Sequence, residues 1–279
     1  MLKQRVITAF VLLCIFLPAL FAQAAWPFLA LILVMTTLAA WEWVRMNPMP
    51  FLKAPVFALM TLGLCVLDWR FACLDALSGL GGGVLLCVWA VFFVMVFKRG
   101  IEGWLAVAVP LRNAMGLIML LGAWVSFGQA KALGTHFLMS VLALVWTADI
   151  GAYFVGRAWG QRKLAPILSP GKSQEGAFGG LVLVFLLGFL WMHVESLLRP
   201  DSMSIYAVLW QKGALYFVLG LMLLVACSVV GDLFESLLKR AIGFKDSSQL
   251  LPGHGGVLDR IDALLPTVPL AVGLVHWVS

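Results

Sequence analysis

Charged residues are scarce in this chain: Asp, Glu, Lys and Arg make up 11% of its 279 residues. An ordinary soluble domain needs about a quarter, so the composition excludes that class. Cysteine is also sparse, with five residues scattered mostly through apolar runs and no CxxC or Cys/His spacing. Nothing therefore indicates a zinc motif or a disulfide framework, and we interpret the cysteines as packing residues.

Apolar residues are abundant instead. They make up 63% of the chain, and the mean hydropathy is +1.03. Several apolar runs approach the roughly 20 residues that a helix needs to cross a bilayer. The sequence therefore predicts an all-α, polytopic membrane protein that forms a single integral domain over residues 1–279. The nine predicted helices cover residues 6–24, 26–44, 55–69, 79–97, 113–129, 136–156, 177–195, 213–231 and 261–278.

The first apolar run has two interpretations. Lys3 and Arg5 precede it, and Ala22-Gln23-Ala24 at its end resembles a signal-peptide cleavage site. The run is longer than the usual ~7 to 15 residues of a signal-peptide core, and another spanning segment follows almost at once. We therefore expect an uncleaved first helix, although cleavage would leave the downstream topology intact.

The cations predict the orientation of the helices. With a cytoplasmic N-terminus, only four of the 19 Lys and Arg residues fall in outer segments, namely Arg70, Lys131, Arg199 and Lys212. This asymmetry follows the positive-inside rule and places residues 157–176 and 232–260 on the cytoplasmic face. The net charge of +6 then reflects topology, and no nucleic-acid partner is expected. A catalytic half is expected at 136–279, with 1–130 as a scaffold or dimer surface.

Acids concentrate in residues 231–262, which hold five of the chain's 13, namely Asp232, Glu235, Asp246, Asp259 and Asp262. If the preceding helix continues through Asp232, then Asp232, Glu235, Ser236 and Lys239 share one of its faces. Carboxylates at two helix ends would suit Mg²⁺, which takes few protein ligands and completes its shell with waters and phosphates. The alternative is that the cations are membrane anchors and the acids their solvated counterions.

Two polar segments supply further candidates. The turn at 252–256 (PGHGG) offers backbone N–H groups that can approach a phosphate closely, or is a plain turn with a solvated His254. The segment 163–176 contains Gly171-Lys172-Ser173, but it lacks the first glycine of a Walker A loop and no strand–helix pair is predicted around it. Lys172, with the Ser169 and Ser173 hydroxyls, remains a candidate anion site at a helix start, or a generic polar loop.

Asp149 lies within the apolar segment 136–156. An acid at that depth should face a partner or a water-filled cavity, or pair with a neighbouring helix. His136, His193 and His276 are isolated residues near helix ends, and no role is predicted for them.

Residues 236–240 (SLLKR), 245–246 (KD) and 252–262 (PGHGGVLDRID) closely resemble the signature of the bacterial phosphatidate cytidylyltransferases, the CDP-diacylglycerol synthases. Residues 149–153 (DIGAY) and 169–176 (SPGKSQEG) resemble two further motifs of that family in the expected order. The resemblance covers roughly residues 145–265. One departure is Gln174, where the family usually has Trp.

The resemblance implies transfer of a cytidylyl group from CTP to phosphatidic acid, giving CDP-diacylglycerol and pyrophosphate, with Mg²⁺ and possible involvement of a second cation. By similarity, the metal ligands are Asp232, Asp259 and Asp262. The implied catalytic residues are Lys239, Arg240, Lys245, Asp246, His254 and Arg260. The implied nucleotide-binding residues are Lys172, Ser173, Ser236, Gly255 and Gly256. A homodimer in the bacterial cytoplasmic membrane, with its active site facing the cytoplasm, is also implied.

Two other functions agree with parts of this pattern. A secondary transporter usually has broken helices near the midplane in two related halves, whereas the charge here lies at one face and in one half. Another Mg²⁺-dependent lipid enzyme, such as a polyprenyl-phosphate sugar-phosphate transferase, would satisfy the same general chemistry. The family signature alone separates it from a cytidylyltransferase.

Overall fold

The computed structural model describes residues 2–47, 53–73 and 78–278, and these are mainly helical. Its helices are α1 (Leu2–Phe21), α2 (Trp26–Arg45), α3 (Lys53–Phe71), α4 (Ser78–Val94), α5 (Gly100–Ala106), α6 (Val109–Leu133), α7 (Thr135–Trp159), α8 (Gln174–Leu198), α9 (Ile205–Gln211), α10 (Ala214–Ala241), α11 (Leu258–Ile261) and α12 (Leu264–Val278). A π-helical turn, Met95–Arg99, joins α4 to α5. Two strands, β1 (Lys163–Ala165) and β2 (Ser169–Ser173), lie between α7 and α8.

Seven of these helices are long and apolar enough to cross a membrane: α1, α2, α3, α6, α7, α8 and α10. They correspond to seven of the nine predicted segments, so the prediction of an all-α, multi-pass membrane protein is confirmed. The other two predicted segments, 79–97 and 261–278, also contain helices. There α4 has 17 residues and α12 has 15, fewer than the roughly 20 that a perpendicular crossing needs.

The chain divides into two compact units. The first contains Met1–Gly128 and Phe234–Asp262, and the second contains Gln129–Leu233 and Ala263–Ser279. The signature-bearing residues 236–262 thus belong to the same unit as the N-terminal helices.

The first unit has an aromatic core that fixes the end of α10. Phe234 stacks on Phe92, with ring centroids 3.8 Å apart, and meets Trp104 edge to face. Trp43 of α2 also contacts Phe234. Rings that pack in this way hold the backbone around Phe234 in one place. The polar residues that follow Phe234 on α10 therefore project from a rigid support.

The second unit is built around closely packed α7 and α8. A Cβ added to Gly180 would lie 2.5 Å from the Ala148 carbonyl oxygen, and one added to Gly151 would lie 2.9 Å from the Gly180 Cα. Small residues of this kind let two membrane helices approach closely. This packing brings the residues around Asp149 on α7 against the start of α8.

The segment between α7 and α8 corrects the sequence prediction. We expected a polar loop with no strand–helix pair, but β1 and β2 form an antiparallel hairpin in which Lys163 pairs with Ser173, and β2 runs directly into α8. Pro170 and Gly171 concealed the strand because both residues disfavour sheet interiors. The rejection of a P-loop stands, since that motif needs a first glycine that this segment lacks.

Candidate functional site

The charged residues that follow Phe234 lie on a continuous helix. α10 extends through Ala241, which confirms that Asp232, Glu235, Ser236 and Lys239 lie on helical turns and share one face. At 28 residues it is about 42 Å long, more than the ~30 Å hydrocarbon layer. The excess length lets its charged end lie in the headgroup region.

Lys239 joins two acids in the interior of the first unit. Its Nζ contacts Glu235, one turn earlier on α10, and lies 2.7 Å from Asp259 Oδ1 at the start of α11. The side chains of Lys239, Glu235 and Asp259 are only 14%, 3% and 6% exposed. Charges buried to this degree need close partners, so the three residues form one interdependent cluster.

Asp259 also organises the segment that precedes it. Its Oδ2 accepts hydrogen bonds from the Ser247 N–H at 2.9 Å, the Ser247 hydroxyl at 2.8 Å and the Gly256 N–H at 2.8 Å. Burial acts to raise the pKa of Asp259, but hydrogen bonds with Glu235, Lys239 and the Gly256 amide hold it below its usual range. Asp259 is therefore an ionised carboxylate to which the loop is anchored.

The predicted turn at 252–256 is present, and its glycines have structural reasons. The Leu251 N–H donates to the Gly255 carbonyl and the His254 N–H donates to the Leu251 carbonyl, both at 2.8 Å. Gly253 and Gly255 have φ values of 78° and 82°, which favour glycine. The Gly256 N–H, one of the turn's backbone groups, donates to Asp259, and the predicted role of Gly256 in nucleotide binding stays a prediction.

His254 is half-buried in this turn. Its Nδ1 is buried and has no hydrogen-bond partner within the described part of the chain. Because a buried polar atom of this kind usually has a partner, the ring is available to a group that the chain itself does not supply. The catalytic role that the resemblance implies for His254 stays a prediction.

The sequence interpretation missed Glu42, which lies on α2. Its side chain is fully buried, and four hydrogen-bond donors, on residues 247, 248, 257 and 258, lie within reach of its two oxygens. The signal that could have found it is an acid within the otherwise apolar run 26–44, because such an acid needs partners. The N-terminal helices thus contact the signature segment directly.

Helix α1 contacts the same turn. The Thr8 hydroxyl donates to the Pro252 carbonyl at 2.9 Å, and a Cβ on Gly253 would lie 2.9 Å from the Arg5 side chain. The turn is therefore held by two N-terminal helices as well as by its own hydrogen bonds.

In the second unit, Lys172 and Asp232 form an ion pair. Lys172 Nζ lies 2.5 Å from Asp232 Oδ2, and the two side chains are 25% and 29% exposed. Asp149 on α7 is close enough to interact electrostatically with both. β2 positions Lys172, and Ser173 caps α8 by accepting a hydrogen bond from the Gly176 N–H at 3.1 Å. The sequence singled out each of these residues but did not pair them.

The other predicted site residues within the segment 236–262 differ in their exposure to solvent. Arg240, Lys245, Asp246 and Arg260 are exposed on the first unit. Ser236 is buried, whereas Asp262 is half-buried and close enough to Glu235 to interact electrostatically. The exposed cations are accessible to a phosphate, and their predicted roles stay predictions.

The comparisons with known proteins identify the family. A profile described as the cytidylyltransferase family matches residues 3–278. The chain belongs to the cytidylyltransferase family. It is 41% identical to a phosphatidate cytidylyltransferase of Pseudomonas aeruginosa, an alignment that covers 100% of this chain and 98% of the relative. It is 35% identical to that of Haemophilus influenzae, with 96% of each protein covered, and 30% identical to that of Bacillus subtilis, with 96% of this chain and 95% of the relative covered.

Family membership confirms the sequence prediction that the chain is an enzyme, a nucleotidyltransferase. The transporter alternative is therefore set aside. The matched region also runs through the N-terminal helices, which the signature motifs alone did not cover.

The residues present are a partial fit to Mg²⁺. Among residues 2–47, 53–73 and 78–278, no group of three or more His, Cys, Asp or Glu side chains is arranged to hold a metal ion. The partly exposed Asp232 and the half-buried Asp262 offer hard oxygens, as Mg²⁺ prefers when waters and substrate phosphates complete its shell. The oxygens of Asp259 already accept from Lys239, Ser247 and Gly256, so Asp259 would have to share one of them.

Proposed function

We propose that this enzyme transfers the cytidylyl group of CTP to phosphatidic acid and releases CDP-diacylglycerol and pyrophosphate. The observation that carries the proposal is the end-to-end similarity to several proteins named phosphatidate cytidylyltransferase, at 30% to 41% identity. The seven membrane-crossing helices agree with a substrate that is itself a membrane lipid.

The proposed reaction depends more on the stabilisation of phosphate charge than on covalent catalysis by the protein. A phosphate oxygen of phosphatidic acid attacks the α-phosphorus of CTP, and a new P–O bond forms. The bond from that phosphorus to the α,β-bridging oxygen breaks, and pyrophosphate leaves with the bonding electrons. Since charge spreads over several phosphate oxygens during such a transfer, fixed cations beside them lower the barrier.

Lys172 and Lys239 are cations of the predicted site that carboxylates hold in place. Each contacts a carboxylate, Asp232 or Asp259 respectively, and each side chain is at least three-quarters buried. Such carboxylates keep an ammonium group in position before substrate arrives. We assign both lysines to the triphosphate, with Arg240, Lys245 and Arg260 as further phosphate contacts.

The ion in this proposal is Mg²⁺, held by Asp232, Asp259 and Asp262. When bound, it would neutralise the triphosphate and the leaving pyrophosphate. Asp232, which contacts Lys172, would hold the cation beside a lysine that we assign to a phosphate oxygen. By resemblance, the nucleotide-binding residues of this proposal are Ser173, Ser236, Gly255 and Gly256, together with Lys172.

We place the site on the cytoplasmic side of the bacterial inner membrane because most cations fall in segments on that side of the predicted topology. In a variant whose five native cysteines are replaced, a cysteine placed at the exposed Ile167, in the hairpin between β1 and β2, should react with a membrane-impermeant maleimide only after the cytoplasmic side is opened. Labelling from outside intact cells would show that the predicted orientation is wrong. A homodimer is expected by resemblance, and cross-linking in native membranes tests it.

The activity is tested with purified protein in detergent, CTP, Mg²⁺ and phosphatidic acid, with diacylglycerol as the lipid that lacks the attacking phosphate. A CDP-lipid should form with phosphatidic acid alone. The Asp232→Asn variant should lower turnover by orders of magnitude, while Asp201→Asn, at an exposed acid, should not. Full activity of D232N would remove the metal assignment, and turnover of a UDP-sugar with polyprenyl phosphate instead of CTP would favour the other lipid enzyme.

A further inference from the structure

Glu42 is a fully buried acid whose two oxygens lie against hydroxyl and amide groups of residues 247–258. Oε1 accepts from the Ser248 hydroxyl at 2.5 Å and the Val257 N–H at 2.9 Å. Oε2 accepts from the Leu258 N–H at 2.7 Å and the Ser247 hydroxyl at 3.1 Å. Oε1 therefore receives one hydroxyl and one backbone amide, whereas Oε2 receives one backbone amide and shares the single proton of the Ser247 hydroxyl with Asp259.

These contacts adjoin those of Asp259. The Gly256 N–H donates to Asp259, whereas the next N–H, that of Val257, donates to Glu42. The Ser247 hydroxyl lies within hydrogen-bonding distance of both carboxylates. Two acids from distant parts of the chain thus each hold both ends of the same short segment.

Glu42 also supplies what the start of α11 lacks. The first N–H groups of a helix have no partner within it and are normally satisfied by a nearby side chain. No side chain of α11's own N-cap residue, Val257, makes that bond. Glu42, 216 residues away in sequence, takes its place, and α11 carries Asp259 and Arg260.

We infer that Glu42 is a positioning residue for cytidylyl transfer: it fixes the Ser247–Leu258 segment so that Asp259 holds Lys239 in place for the phosphates. The inference rests on the proposed function for its kinetic consequence, but its structural consequence can be measured without any substrate. It assigns residues 1–130 a part in catalysis beyond that of a scaffold.

The Glu42→Gln variant tests this because it keeps the shape of the side chain. Glutamine has one acceptor oxygen and one NH₂ group. A serine hydroxyl can rotate to accept from that NH₂ group, but a backbone N–H cannot. Either orientation of the amide therefore leaves the N–H of Val257 or of Leu258 without an acceptor. Glu102→Gln is the matched control, since Glu102 lies on α5 in the same unit and is exposed.

In E42Q, hydrogen exchange should speed up at residues 256–259, whereas E102Q should exchange like the wild type. If the free energy lost by the unsatisfied buried N–H appears fully in the transition state, kcat should fall about 10- to 100-fold. We expect the KM for CTP to stay within about twofold, because a misplaced Lys239 weakens the transition state more than ground-state binding. If Glu42 mattered only for folding, E42Q would lower the yield of active enzyme. In the fraction that folds, hydrogen exchange at residues 256–259, kcat and KM would then match those of the wild type.

Unchanged exchange at 256–259, or a kcat equal to that of E102Q, would overturn the inference. If E42Q does not fold, Ser248→Ala removes a single donor to Glu42 and serves instead. Folded S248A with wild-type exchange and wild-type kcat would overturn it equally. If the wild type makes no CDP-lipid, the proposed function fails, whereas the exchange measurement still decides whether Glu42 holds the segment.

Discussion

Replacing Asp259 with Asn keeps the size of the side chain and removes its charge. Oδ2 accepts three hydrogen bonds and Oδ1 contacts Lys239. If the asparagine oxygen takes the place of Oδ2, the three donors keep an acceptor, and the NH₂ group faces the Lys239 ammonium. Two donors then oppose each other. Breaking a buried ion pair completely costs about 3 to 5 kcal/mol.

Lys239 keeps Glu235 as a partner, so the expected loss is smaller, at about 2 to 3 kcal/mol. If Lys239 must hold its place in the transition state, this converts to a fall in kcat of about 30- to 150-fold. The assay is CDP-lipid formation at saturating CTP, with thermal unfolding in detergent to confirm that the variant is folded. A folded D259N with kcat within a factor of two of wild type would refute the reasoning that Asp259 organises the site.

Three further outcomes are expected. Lys172→Met should raise the KM for CTP by about tenfold, because it removes a phosphate contact, and Lys172→Arg should lose less; an unchanged KM in K172M argues against phosphate binding there. Gly256→Ala should abolish activity, since its Cβ would lie 2.1 Å from a serine Oγ, whereas Gly63→Ala, with nothing within 4 Å, should be active; an active G256A contradicts the packing. The depressed pKa of Asp259 means that its stabilisation is complete above about pH 4 and is lost as the pH falls further. The difference in unfolding temperature between wild type and D259N should therefore shrink below that pH, and a constant difference would contradict the shift.

The sequence predicted best those features that depend on residues close together in the chain. Helix periodicity placed Glu235 and Lys239 one turn apart, and α10 does continue through them. Of the nine spans predicted from length and hydropathy, seven are helices long and apolar enough to cross a membrane. The same reasoning failed for β2, because Pro170 and Gly171 disfavour a strand that a hairpin partner nevertheless holds.

Long-range pairs could not be predicted from the sequence. Glu42 and Leu258 are 216 residues apart, and nothing in the local pattern of α2 says which amides the carboxylate meets. The contact between Lys172 and Asp232 likewise depends on how helices pack. The sequence does indicate which residues need such partners, because an acid in an apolar run is costly to bury unpaired. That argument was applied to Asp149 and would have served equally for Glu42.

The most direct test of the proposed reaction follows two labels through one turnover assay. With phosphatidic acid and Mg²⁺, label at the α-phosphorus of CTP should move into the lipid phase, and label at the γ-phosphorus should appear in pyrophosphate. Both labels in the lipid, or neither, would contradict cytidylyl transfer by this enzyme.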